Sequence, residues 1–372
     1  MDSAKGPIAP AQVPMPFNSA LSHPLHMKAR EAQAAGRYAE AEALYAAAIQ
    51  ADPRSFGALH DRGGFYKLLG RLDEAETSLR AAHKLDPSDP RTRHALGIVL
   101  LSQGRYREGW SFYDARHEIA GLGVRKPQLP FPEWNGEDLA GKRLLIAPEQ
   151  GLGDQIQFAR FAPWLSARGA DVTLICHAPL APLFQQSFDV QVIAGGGEVE
   201  FPDPDYWCMS GSLTGRSGLT PDQLPNAPYL RSTAPRQRAS GAIGIATRGN
   251  PQHVNDANRS LPPALAEELR SLQGATSLHP EDTGVTDFAQ TAALVAGLDL
   301  VISVDTSIAH LAAAMGKPTW ILLPRLMTDW RWMEGRTDSP WYPSVRLFRQ
   351  PVPDDWRSVL EEVGAALAAR AG

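Results

Sequence analysis

The segments GRYAEA, GRLDEA and GRYREG begin at Gly36, Gly70 and Gly104, a constant spacing of 34 residues. A unit of that length cannot bury an apolar face by itself and must stack on copies of itself. Asp52-Pro53 and Asp86-Pro87 recur with the same period. Small residues at Ala41, Ala75 and Gly109 mark close helix approach, and Ala48 and Ala82 recur one helix on. Tyr45, Leu79 and Tyr113 supply bulk between them. The pattern predicts stacked helix pairs over 25–120. About two and a half units are legible, against the roughly three that bury a continuous core, so the array is expected to lean on the C-terminal part of the chain.

That C-terminal part is long enough for further domains, since the chain has 372 residues and is 43% hydrophobic, which excludes a disordered or fibrous chain. Its 36 basic and 41 acidic residues give a net charge of −5, too balanced for a nucleic-acid or anionic-membrane footprint. Two cysteines, Cys176 and Cys208, support neither a disulfide framework nor a cysteine zinc site. Residues 1–24 are proline-rich and read as a flexible leader. No run approaches the roughly 20 apolar residues of a membrane span, and a cytoplasmic location is expected.

The helical period breaks over 121–141, a Pro/Gly/Asn-rich linker. Short apolar segments then alternate with helical patterns. In a first unit, 142–235, strands are predicted at 143–147, 172–176 and 190–194, with helices at 154–168 and 180–186. In a second unit, 236–372, strands are predicted at 242–247, 276–279, 299–304 and 319–324. Helices there fall at 263–272, 289–296, 307–315 and 354–369. The fold class is therefore multidomain, an all-α repeat array followed by an α/β region of two Rossmann-like units. A ligand belongs in the cleft outside the strand carboxyl ends.

Three stretches fall at such ends: EQGLGDQIQF (149–158), ATRGNPQHVNDANRSLP (246–262) and SVDTSIAHLAAAMGKP (303–318). In the third, a strand ends at Asp305, Thr306 caps the next helix, and the N–H groups of Ser307 and Ile308 face the cleft. Helix starts of this kind attract anions, because unpaired N–H groups and the helix dipole both favour a phosphate. His310, one turn in, is placed to donate to a phosphate or sugar oxygen. Taken alone, the stretch is also a plain strand, cap and helix.

The three together resemble glycosyltransferase family 9, the heptosyltransferases. VDTSIAHLAAAMGKP is similar to that family's nucleotide-sugar signature, and GLGDQIQ to its N-terminal turn, whose Asp is the proposed general base. ATRGNPQHVNDANRSLP is similar to a segment whose basic residue meets the donor phosphates. The repeats resemble the tetratricopeptide family. The joined arrangement, including FPEWNGEDLAGKRLLI and DWRWMEGRTDSPWYPSVRLFRQ, resembles bacterial repeat-containing glycosyltransferases, some of which modify flagellin.

The resemblance implies a GT-B fold in which Asp154 takes a proton from the acceptor. It places Arg259, with Arg248 as a second candidate, and the N–H groups after Asp305 on the donor phosphates. Gly151, Gly153, Asp305, Thr306, Ser307, Ile308 and His310 are expected to line the same donor site, and Arg331, beside the aromatic run, reads as a phosphate or carboxylate clamp on it. No metal or other cofactor is expected, because helix N-termini and basic side chains carry the leaving diphosphate's charge. The alternative for Asp154 is a residue that merely stabilises a helix start through the dipole.

The aromatic run Trp330, Trp332, Trp341 and Tyr342 reads as core and inter-domain packing ahead of a sugar-stacking wall. Asp203-Pro204-Asp205 reads as a loop rather than a metal motif, and no P-loop occurs. The leading functional reading is a metal-independent inverting transferase that uses a nucleotide-sugar donor and presents a polypeptide through its repeats, with flagellin as the candidate acceptor. The rival is a non-catalytic adaptor with a degenerate nucleotide-binding region. A larger repeat-bearing family of O-linked N-acetylglucosaminyltransferases fits the VDTSIAH stretch less well.

Overall fold

The computed structural model describes residues 18–197, 199–233 and 241–371. The leader expected over 1–24 lies outside the described residues up to 17. From there the chain is already helical, with α1 spanning Ser19–Ala34 and taking in Pro24. The Asn18 side chain caps this helix by accepting from Leu21 N at 3.1 Å, and Asn18 N donates to Ala51 O at 2.9 Å. Those two bonds commit residues 18–24 to the first repeat despite their proline.

The array continues as α2 (Tyr38–Ala51), α3 (Phe56–Leu68), α4 (Leu72–Leu85), α5 (Pro90–Ser102) and α6 (Tyr106–Tyr113). Three helix hairpins result, turned at Gly36, Gly70 and Gly104 with φ of 72°, 70° and 77°. That left-handed backbone is the conformation glycine adopts without a Cβ penalty, which explains why these positions carry the period. Ala41, Ala75, Ala48, Ala82, Tyr45 and Leu79 are all fully buried.

Two adjacent glycines in α3 behave differently. A Cβ on Gly63 would lie 2.5 Å from Leu79 Cγ, whereas one on Gly64 would meet nothing within 4 Å. Gly63→Ala is expected to destabilise the fold by about 1–3 kcal/mol through overpacking. Gly64→Ala is expected to stabilise it by about 0.5–1 kcal/mol through helix propensity. Urea denaturation of both variants checks the contrast.

The first α/β unit comprises β1 (Arg143–Ala147), α7 (Leu152–Phe158), α8 (Phe161–Ser166), β2 (Asp171–His177), α9 (Ala181–Ser187), β3 (Gln191–Gly195), β4 (Tyr206–Met209) and α10 (Leu213–Arg216). Its sheet has the order β3-β2-β1-β4 and is parallel throughout. The helix expected over 154–168 is two short helices. The break carries Arg160, buried at 1% exposure, whose guanidinium donates to Gln157 O at 2.8 Å and Trp341 O at 2.6 Å. The strand β4 is an addition to the sequence expectation, because four apolar residues behind a Pro-rich turn carry no period.

The second unit comprises β5 (Ile243–Ala246), α11 (Asp256–Arg259), α12 (Pro263–Arg270), β6 (Ala275–Ser277), α13 (Pro280–Thr283), α14 (Phe288–Ala296), β7 (Leu300–Val304), α15 (Ser307–Ala314), β8 (Thr319–Leu323), β9 (Val345–Arg349) and α16 (Trp356–Ala371). Its parallel sheet has the order β6-β5-β7-β8-β9. β7 and β8 are buried at every residue, as strands covered on both faces must be. Among the described residues no helix is long and apolar enough to cross a membrane.

Each sheet reverses its strand order once, between β1 and β4 in the first unit and between β5 and β7 in the second. Carboxyl-end loops diverge at such points and leave a crevice. The Asp154 stretch follows β1, and the Arg259 and Asp305 stretches follow β5 and β7.

Candidate functional site

The crevices of the two sheets meet where α7 crosses α15. Gly153 makes the crossing possible, since a Cβ there would lie 3.0 Å from His310 Cδ2 and 3.5 Å from Ser307 Cα. Gly153 is thus a packing residue as well as a lining one. Beside it, Asp154 turns back to accept from Gly151 N at 2.9 Å and pairs with Arg331. Arg331 also holds Asp329, at 3.0 Å, and lies over the Trp330 ring at 4.5 Å. The residue expected as a phosphate or carboxylate clamp therefore clamps carboxylates of its own chain, and its Nε alone has no partner among the described residues.

Burial raises the Asp154 carboxyl above its ordinary value against the pull of Arg331. Burial and the Asp329 charge push Asp305 up to about 6. His310 is held well below its usual value by burial and by the charge of Arg331, so it is a neutral imidazole at neutral pH. Its Nδ1 pairs with Tyr342 Oη at 2.9 Å and its ring stacks on Trp332 at 5.2 Å. Only Nε2 remains toward Asp305, at 4.0 Å.

On the opposite wall, Arg259 donates to Asp305 O at 2.9 Å and Asp256 at 3.1 Å. Gly249 leaves room for it, because a Cβ there would fall 2.4 Å from its terminal nitrogen. Arg248 stands farther out, half exposed and paired with Glu281. Thr306 bonds Ser303 Oγ at 3.1 Å through its hydroxyl and makes no side-chain cap to α15. The structure thus gathers Gly151, Gly153, Asp154, Arg248, Arg259, Asp305, Thr306, Ser307, Ile308, His310 and Arg331 around one cavity of about 1570 Å³.

The repeats build the far wall of the same cavity, through Tyr45, Asp61, Lys67, His94 and Ser102 among others. They also hold the loops. The 325–334 loop docks on the turns of the array, with Met327 N donating to Leu68 O at 3.2 Å and Glu334 N to Ser102 O at 3.4 Å. Met327 and Met333 take φ of 54° and 51° at those two docking points. Trp330, between them, packs against Trp110 at 5.3 Å and Tyr113 at 5.9 Å. The packing reading of the aromatic run is what the geometry shows at this ring.

On the other side, Gln150 has φ of 60° and donates through Nε2 to Tyr113 Oη at 3.0 Å. Arg116, just after α6, pairs with the buried Glu149 at 2.8 Å. Glu149 in turn accepts from Gly211 N, across the switch point of the first sheet. Residues 106–118 therefore touch both halves of the α/β region where they meet. Arg116, Glu149, Gln150 and Asp329 escape a reading of the sequence, since nothing local marks a pair formed between distant segments.

The family model for glycosyltransferase family 9 (heptosyltransferase) matches residues 263–322, and that for the tetratricopeptide repeat matches 26–90. Protein FlbA of Caulobacter vibrioides is 28% identical over 366 aligned positions, covering 83% of this chain and 61% of FlbA. Small glutamine-rich tetratricopeptide repeat-containing protein 2 of Mycosarcoma maydis is 30% identical over 28% of this chain and 32% of its own. The chain thus spans less than two thirds of either curated relative. Among solved structures, the first TPR of Spaghetti (RPAP3) bound to an HSP90 peptide is 22% identical over 27% of this chain and 81% of its own, with a TM-score of 0.27. The Yersinia enterocolitica chaperone SycD is 21% identical over 28% of this chain and 78% of its own, with a TM-score of 0.26. The chain thus matches the tetratricopeptide-repeat model on its N-terminal side and, beyond the repeats, the glycosyltransferase family 9 model over a segment of its second α/β unit.

Proposed function

We propose that this protein transfers a sugar from a nucleotide-sugar donor to a hydroxyl of a polypeptide lying along its repeats, with inversion and without a metal ion. The observation that carries this reading is the single cavity shared by the inner face of the repeats and the Asp154, Arg259 and Asp305 loops. A donor diphosphate fits between Arg259 and the start of α15, where a cation and helix N–H groups meet a developing negative charge. Asp154 faces the same space from the first unit and is placed to take the acceptor's proton. Flagellin is the acceptor to test first, on the resemblance of the joined domains.

The test is a melting-temperature screen against ADP, UDP, GDP and CMP compounds, with and without sugars. A ligand at about a hundred times its Kd stabilises the native state by about 2.7 kcal/mol, and Arg259→Ala is expected to abolish the rise. Absence of any rise in the wild-type protein would sink the reading in favour of the repeat adaptor. With a donor in hand, mass spectrometry of co-expressed flagellin reads transfer.

A further inference from the structure

We propose that Tyr342 is a positioning residue for His310: its phenol donates to His310 Nδ1, fixes the imidazole proton on Nε2, and so presents an N–H to an oxygen of the bound sugar nucleotide. The tautomer stands on the geometry alone, whereas the ligand rests on the transferase reading.

A neutral imidazole has one donor and one acceptor nitrogen, and the partner of one nitrogen decides the state of the other. His310 is such a ring, since burial and the charge of Arg331 hold it well below its usual value. Its Nδ1 lies 2.9 Å from Tyr342 Oη. Both residues are buried, His310 at 6% exposure and Tyr342 at 1%, so water cannot stand in for either partner. Burial also pushes the phenol well above its ordinary value, and it keeps its proton.

That proton has one good destination. Arg160, 4.6 Å over the Tyr342 ring, can only donate. The neighbouring Tyr229 gives its own proton to Ile156 O at 2.8 Å, and its oxygen already takes one from Arg160 at 3.3 Å. An imidazole nitrogen is a stronger acceptor than a phenol oxygen, so Tyr342 donates to His310 and not the reverse.

The far edge of the ring agrees. Nε2 faces the Asp305 carboxylate at 4.0 Å, and a carboxylate favours an N–H over a lone pair there. At that distance the two do not hydrogen-bond, so the N–H is free for a ligand. Gly153 keeps this edge open toward the cavity, because a Cβ there would lie 3.0 Å from His310 Cδ2 and 3.6 Å from Nε2. Trp332, stacked on the ring at 5.2 Å, and Tyr342 both lie between β8 and β9. A single connection therefore sets the plane of the imidazole and the place of its proton.

The test uses the full chain with nitrogen-15 in its histidines and long-range proton–nitrogen spectra, the His310→Gln variant identifying the His310 signals. Nδ1 is expected to resonate as the proton-free nitrogen of a neutral ring and Nε2 as the protonated one; the reverse pattern overturns the proposal. Binding is read by titrating the member of the ADP, UDP, GDP and CMP panel that raises the wild-type melting temperature most. Tyr342→Phe is expected to weaken it about fivefold, the worth of one hydrogen bond. In the His310→Gln background, where an amide N–H needs no phenol to place it, the same substitution is expected to change binding by less than about twofold. An equal loss in both backgrounds makes Tyr342 a packing residue, overturning the proposal while the transferase reading stands. A wild type with no melting rise for any compound overturns the transferase reading and the ligand with it, and the spectrum then decides the tautomer by itself.

Discussion

Asp154→Asn is expected to lower sugar transfer by roughly 10²–10⁴-fold, the usual worth of a positioned general base, while the nucleotide-induced melting rise survives. The substitution keeps the side chain's size and its oxygen for the Gly151 N–H. Arg331 keeps Asp329 as a partner, so no buried cation is orphaned and the effect falls on chemistry. The base works only when ionised. Because burial raises its pKa, the wild-type rate should fall on acidification with an inflection above the ordinary aspartate value, and Asp154→Asn should lack that limb. Initial rates across pH with the identified donor check both points. A variant that transfers at the wild-type rate would return Asp154 to the role of a helix-start residue.

Arg116→Met is expected to cost about 3–5 kcal/mol, because it strips the partner from a carboxylate that cannot reach water. Glu149 is 5% exposed and Arg116 1%, and the guanidinium also donates to Ser212 at 2.8 Å and Asp114 at 2.8 Å. Arg116→Met combined with Glu149→Met should lose less than Arg116→Met alone, since the double variant buries no lone charge. Urea denaturation of the three proteins measures the coupling directly. Strict additivity would mean that the pair does not bolt the array to the first α/β unit.

The repeats and most strands were legible because their signals are local: a 34-residue period, glycines at left-handed turns, apolar runs ahead of helical ones. The loops at the two switch points were legible for the same reason, each following a recognisable strand. The hidden features depend on partners far along the chain. Arg116 reads as one basic residue in a short polar run until Glu149 is placed against it. Arg331 reads as a phosphate or carboxylate clamp whose partners are unnamed until Asp154 and Asp329 converge on it. The bend at Arg160 is invisible in a pattern that is amphipathic on both sides, because its cause is the carbonyl of Trp341. Gly64 carries no distinguishing mark in sequence, since only the open space beside it separates it from Gly63.

The seat of Trp330 on Trp110, Tyr113 and Tyr106 also sets an order of events at the ribosome. The helices of the array are made before the α/β region and can pair with one another at once, but the part of their last aromatic face that Trp330 covers stays open until residue 330 emerges. At about 5–20 residues per second, that face stays bare for on the order of tens of seconds. The nascent chain therefore passes through a stage in which a finished solenoid displays a patch of tryptophan and tyrosine. Slowed translation between the two segments would prolong that exposure, and with it the interval in which chaperones rather than the protein's own C-terminal loop must cover the rings.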